Sequence, residues 1–139
     1  LDRDDYVHDH SNVGALAYRA AIWASVENIP GTNYPPIDHI PAVFRCETTG
    51  THRVSPPEYY VDITDEFEQK IDAFKCHESQ HGDFLEKQFG IKNWFEYVEV
   101  TNKFRGFQCG CKYAEAFRMV NTWPNQKAFR LLPPVQRDA

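Results

Sequence analysis

The sequence predicts an α/β domain, and three observations carry that reading. Apolar residues recur at helical spacing in Val13, Leu16, Ala17, Ala20, Ala21 and Ala24, and again in Phe67, Ile71 and Phe74. Two short runs read as strands, 42–46 as a short candidate and 59–64 because it is rich in aromatic and β-branched residues. The resulting order of helix, strand, strand, helix, helix fits part of an α/β domain. The strand list is short for a complete one.

The first helix is expected from Ser11 to about Glu27, with Asp9, Ser11 or Asn12 able to cap it by accepting a first-turn amide hydrogen. Its alanine-rich stripe predicts close packing against a sheet, and Pro30-Gly31 ends it. Residues 30–41 hold Pro30, Pro35, Pro36 and Pro41 and read as a loop, because proline withholds an amide donor. Strand 42–46 follows, then a loop from Thr48 to Pro57, then strand 59–64. Thr64-Asp65-Glu66 marks a helix start, with acids in the first turn. His81, Phe84, Leu85 and Phe89 extend that helix past a bend near Gly82 until Gly90 stops it. A further helix is expected from Asn93 to about Arg105, with Tyr97, Val100 and Phe104 on one face and Gly106 in the left-handed position after its last turn. Glu115–Val120 and Ala128–Leu132 are candidate strands, and Pro133-Pro134 opens a polar tail.

The totals narrow the function classes. The 139 residues suit a single domain, 1–139, with a real core. A net charge of -5 argues against a nucleic-acid binder, which needs a basic face. No apolar run is long enough to span a bilayer, and no signal peptide is visible. Four cysteines in a chain of this size read as reduced thiols of a cytoplasmic protein. The only methionine is Met119, so Leu1 is not a translational start and an upstream segment is expected to be missing.

Asp5-Tyr6-Val7-His8-Asp9-His10 places two imidazoles and two carboxylates within a few positions. In an extended segment His8 and His10 would point to one side and could approach one metal ion; in a helix they would diverge. Asp5 and Asp9 could ligate, or orient an imidazole through its second nitrogen. A catalytic zinc site needs about three protein ligands and an open position, and this stretch can supply one or two. The bland alternative is a polar helix cap with solvated histidines.

Four segments in order add a family resemblance. Asp5 to Arg19 resembles the second motif of the LmbE-like zinc N-deacetylases, the family that includes the GlcNAc-PI de-N-acetylases (PIG-L). Val61-Asp62-Ile63-Thr64-Asp65, Lys70-Ile71 and Cys76-His77-Glu78-Ser79-Gln80 resemble its strand-to-helix segment, and Tyr113-Ala114-Glu115-Ala116-Phe117 its late Ala-Glu-Ala-Phe block. The resemblance implies a Rossmann-like three-layer α/β fold, of which this chain is the later part. It implies hydrolysis of an N-acetyl group on an N-acetylglucosamine-type amino sugar by a zinc-bound water. The substrate is then a small acetylated amino sugar or glycoconjugate.

The family's motif reads His-Pro-Asp-His. Its last position, His10 here, is the zinc ligand, and Asp9 buttresses the site. The first His, an acid or electrostatic stabiliser, is replaced by Val7, and the proline by His8. His8 either swings in as the acid or the role is vacant. The family's first motif, Ala-His-Pro-Asp-Asp-Glu, supplies two further zinc ligands and the general base, and this chain lacks it. These residues alone are therefore expected to be inactive. A non-catalytic carbohydrate-binding or structural derivative of the same fold is the alternative. A homo-oligomer is left open.

Other residues carry weaker readings. Cys109-Gly110-Cys111 is read as a tight turn with semi-buried thiols rather than a metal site shared with Cys76 and His77. His77 and Gln80 could face substrate, with a structural role favoured for His77. Glu115 either orients a site histidine or forms a surface ion pair. Arg45 and Arg53 are candidate contacts for an anionic group, and Trp94, Phe95 and Tyr97 are expected in the core.

Overall fold

The computed structural model describes residues 5–29, 31, 33–47, 56–78 and 83–120. They form α1 (His8–Trp23), β1 (Phe44–Cys46), β2 (Tyr59–Asp62), α2 (Phe67–Lys75), α3 (Asp83–Phe89), α4 (Trp94–Cys109) and β3 (Ala114–Met119). The mixture of helix and strand is that of an α/β protein. The three strands make one antiparallel sheet in the order β1-β3-β2. The last strand in sequence is thus the central one. Phe44 pairs with Met119 on one side of it, and Tyr59 with Phe117 on the other.

β3 holds the centre because one of its faces is small. Ala114 and Ala116 are buried at alternate positions, which puts them on the same side of the strand. α4 lies against β3 and presents a matching small face of Val98, Asn102 and Gly106, all buried. Asn102 Nδ2 donates to the Ala114 carbonyl at 3.1 Å. At Gly106 a Cβ would stand 2.6 Å from the Cys111 carbonyl oxygen and 2.7 Å from that of Lys112. Tyr97, Val100 and Phe104, the apolar residues read as sharing one face, are exposed. Close approach selects the narrow face over the apolar one. The same demand moves the left-handed cap: α4 runs on to Cys109, and Gly110 takes it with φ +88°.

Ile63, Phe67 and Tyr113 form a small core, with Ile71 packed against it. The Phe67 and Tyr113 rings stack at 3.8 Å. Asp62 Oδ1 accepts from the Thr64 amide at 2.9 Å and its hydroxyl at 2.6 Å, which ends β2 two residues before the expected boundary. α2 stops at Lys75, so the long helix expected to reach Phe89 is two helices, with Gly90 at φ +69° closing the second. The expected bend at Gly82 and strand 128–132 lie outside the described residues. Trp94 and Phe95 are half-buried against Phe74, while Tyr97 is exposed.

α1 departs most from expectation. It starts at His8, not Ser11, and ends at Trp23. None of its residues is buried, and Val13, Leu16 and Trp23 are exposed. The alanine stripe was expected against a sheet. α1 and β1 instead line a common cleft.

Arg105 on α4 donates through Nε to Glu47 Oε2 at 2.7 Å, and its other guanidinium nitrogens bond Glu47 and Gln108. The two charged side chains are only 14% and 17% exposed, so the pair is poorly screened. Arg105→Ala is expected to cost about 2 kcal/mol, because it leaves Glu47 unpaired where water reaches it poorly. Urea unfolding of the variant at low and high salt checks this.

Candidate functional site

Asp5 stands just before α1 and does two things at once. Its Oδ1 accepts from the Val7 amide at 2.9 Å, and its Oδ2 lies 2.9 Å from His10 Nδ1. The Asp5 side chain is fully buried and that of His10 is 43% exposed. An ionised carboxylate only accepts, so Nδ1 is the His10 nitrogen that donates, and in the neutral ring the lone pair is on Nε2. A carboxylate fixing one ring nitrogen while the other stays available is the arrangement that metal-ligating histidines use.

Val7 is the extended N-cap residue of α1, and no side chain caps the helix there. The Ser11 amide reaches the Val7 carbonyl at 3.1 Å and opens the ladder. Asp9, Ser11 and Asn12 all fall inside the helix, so none is the cap. Because His8 to His10 is already helical, the two imidazoles diverge by roughly 200°. They do not form the same-side pair that an extended segment would have made. His8 and Asp9 are both exposed. The resemblance assigns the buttress of His10 to Asp9; the carboxylate hydrogen-bonded to that ring is Asp5. Among the described residues, no group of three or more His, Cys, Asp or Glu gathers as a metal ion would require. The site that this chain presents is one oriented imidazole. It fits a single ligand position of a larger set.

Farther along α1, the helix and β1 line a cleft of about 400 Å³ that includes Gly14, Tyr18, Arg19, Val43 and Arg45. Arg45, a candidate anion contact, therefore lines a concavity; Arg53 and Gln80 lie outside the described residues. Glu115 forms an ion pair with Lys70 at 2.6 Å, joining β3 to α2, and does not orient a described histidine. The His77 ring is exposed near Phe74, at the end of α2.

Cys46, Cys76, Cys109 and Cys111 are all unbridged. Burial pushes the Cys111 thiol up from the ordinary 9.0 to about 11, helped by its hydrogen bond with Cys109 and by the nearby Asp62 carboxylate. A group whose pKa is raised on folding stabilises the folded state while protonated. That contribution is complete below pH 9.0 and is lost as pH rises toward about 11. Urea midpoints are expected to fall across this window, and less so in Cys111→Ser.

No family model matches the chain. It is 30% identical over 114 residues to the diacetylchitobiose deacetylase of Thermococcus kodakarensis, a match covering 81% of this chain and 39% of that protein. The structure resembles that of N,N'-diacetylchitobiose deacetylase from Pyrococcus horikoshii with a TM-score of 0.61 and 27% identity, covering 84% of this chain and 42% of the other. The chain thus spans about two-fifths of the length of the relatives it matches.

Proposed function

We propose that this chain is the later part of a metal-dependent N-deacetylase, an amide hydrolase that removes the acetyl group from an N-acetylglucosamine-type amino sugar. The Asp5–His10 pair at the head of α1 carries the proposal. The two diacetylchitobiose deacetylases that the chain resembles support it. In this reading residues 1–139 belong to one Rossmann-like three-layer domain, and the antiparallel sheet is one edge of a larger one. The four unbridged thiols support a cytoplasmic setting. No described helix is long and apolar enough to cross a membrane.

His10 would hold zinc through Nε2, together with ligands from outside the described residues. When bound there, the ion supplies Lewis acidity to the amide carbonyl and acidifies water. Asp5 keeps the His10 ring in one tautomer and one orientation. His8 diverges from His10 on the first turn of α1, so in this arrangement the proton donor toward a leaving amine comes from outside the described residues. Asp9 adds a carboxylate at the positive end of the helix, where the backbone dipole favours negative charge.

The isolated chain is expected to bind zinc weakly and release no acetate; stoichiometric zinc binding with acetate release would overturn the half-site reading. Placed in the Thermococcus relative in exchange for its matching segment, the chain is expected to support acetate release from N,N'-diacetylchitobiose. His10→Ala should then lower that rate by about 100-fold or more. Disaccharide binding without acetate release by this folded chimera would favour the non-catalytic carbohydrate-binding derivative.

A further inference from the structure

We propose that Cys109 and Cys111 are a reversible dithiol–disulfide pair that reacts with low-molecular-weight disulfides, with Cys109 attacking and Cys111 resolving. The two sulfurs lie 3.6 Å apart. Their positions follow from the backbone. Cys109 is the last residue of α4, Gly110 turns the chain at φ +88°, and the Gly110 and Cys111 amides both donate to the Gly106 carbonyl, at 2.8 and 3.0 Å. A side chain at residue 110 would be strained at that φ, so glycine is what lets the two cysteines double back on each other.

The surroundings divide the roles. Cys109 is exposed, and its thiol donates to the Arg105 carbonyl at 3.3 Å. Cys111 is half-buried, and its thiol donates to the Tyr113 carbonyl at 3.2 Å. An incoming disulfide therefore meets Cys109 first. The rise of the Cys111 thiol to about 11 makes it the slower nucleophile at neutral pH.

The chemistry is two exchanges. The Cys109 thiolate attacks one sulfur of a disulfide RS–SR; that bond breaks, a Cys109–SR bond forms, and RS⁻ leaves to take up a proton. Cys111 then gives its proton to water and attacks the Cys109 sulfur, and the second RS⁻ leaves. Two protein thiols are oxidised by two electrons, and one external disulfide becomes two thiols. The bond closes a loop with one intervening residue, so it removes little unfolded-state entropy. A bond that is exposed and adds little stability belongs to the readily reduced kind.

The test uses the full chain with Cys46 and Cys76 replaced by Ser, treated with oxidised glutathione without oxygen and then acid-quenched. Intact mass and peptide mapping should show both thiols lost, no glutathione retained and a Cys109–Cys111 link, all reversed by dithiothreitol. Adding C111S should trap glutathione on Cys109, and adding C109S should leave Cys111 a thiol at neutral pH. Circular dichroism confirms that each variant is folded. Glutathione retained on both cysteines without an internal link, or two thiols that stay unreacted, overturns the proposal.

Discussion

Asp5→Ala is expected to release the His10 ring from its fixed tautomer and, in the complete enzyme, to weaken zinc binding roughly 10–100-fold. The reason is the fully buried carboxylate 2.9 Å from Nδ1. Without it, no fixed acceptor holds the proton on Nδ1, and the nitrogen needed for a metal is protonated part of the time. Long-range proton–nitrogen correlation spectra of the isolated chain read the tautomer directly, independently of any metal. Competition with a chromophoric chelator reads the affinity. Asp9→Ala, at an exposed position, is expected to leave the tautomer unchanged. An unchanged His10 spectrum in Asp5→Ala would remove Asp5 from the site.

Gly106→Ala is expected to destabilise the chain by about 3 kcal/mol. The added methyl would meet the Cys111 and Lys112 carbonyls at 2.6 and 2.7 Å, and these are backbone atoms that cannot rotate away. Relief requires the 111–112 turn to pull away from α4, which would shift the entry into β3 and stretch the Asn102–Ala114 hydrogen bond. Phe107→Ala is the control. Its ring is 85% exposed, and its loss is expected to change stability by no more than about 0.5 kcal/mol. Chemical denaturation of the two variants side by side separates helix propensity, which favours alanine, from the steric term. A Gly106→Ala protein as stable as its parent would mean that α4 does not pack this closely.

The elements were legible where local chemistry decides them. The aromatic and β-branched run gave β2, and Asn93 caps α4 by accepting from the Glu96 amide. Faces were less legible. In α4 the apolar stripe Tyr97, Val100 and Phe104 points to water, because backbone proximity to β3 selects Val98, Asn102 and Gly106. Periodicity registers hydrophobicity and is blind to how near a partner backbone must come. At the candidate site, a carboxylate orienting an imidazole of this stretch was legible. Which carboxylate serves was not. Asp5 is five residues from His10, a spacing with no meaning until the chain enters the helix between them. The partners that the proposed metal site would need were not legible, since the motif that supplies them in the resembling family does not occur in this sequence.

The central place of β3 also has a kinetic consequence. β1 and β2 do not pair with each other; each finds its partner only in β3, the last described strand of the chain. During synthesis both strands leave the ribosome with open edges and wait for residues 114–119. Helices can form in that interval, but the described three-stranded sheet cannot. Its closure joins segments far apart in sequence, which makes it the slow step of folding and the interval of greatest exposure to aggregation. A nascent chain stalled before Ala114 would hold β1 and β2 without the strand that joins them, and would depend on chaperones until that strand arrived.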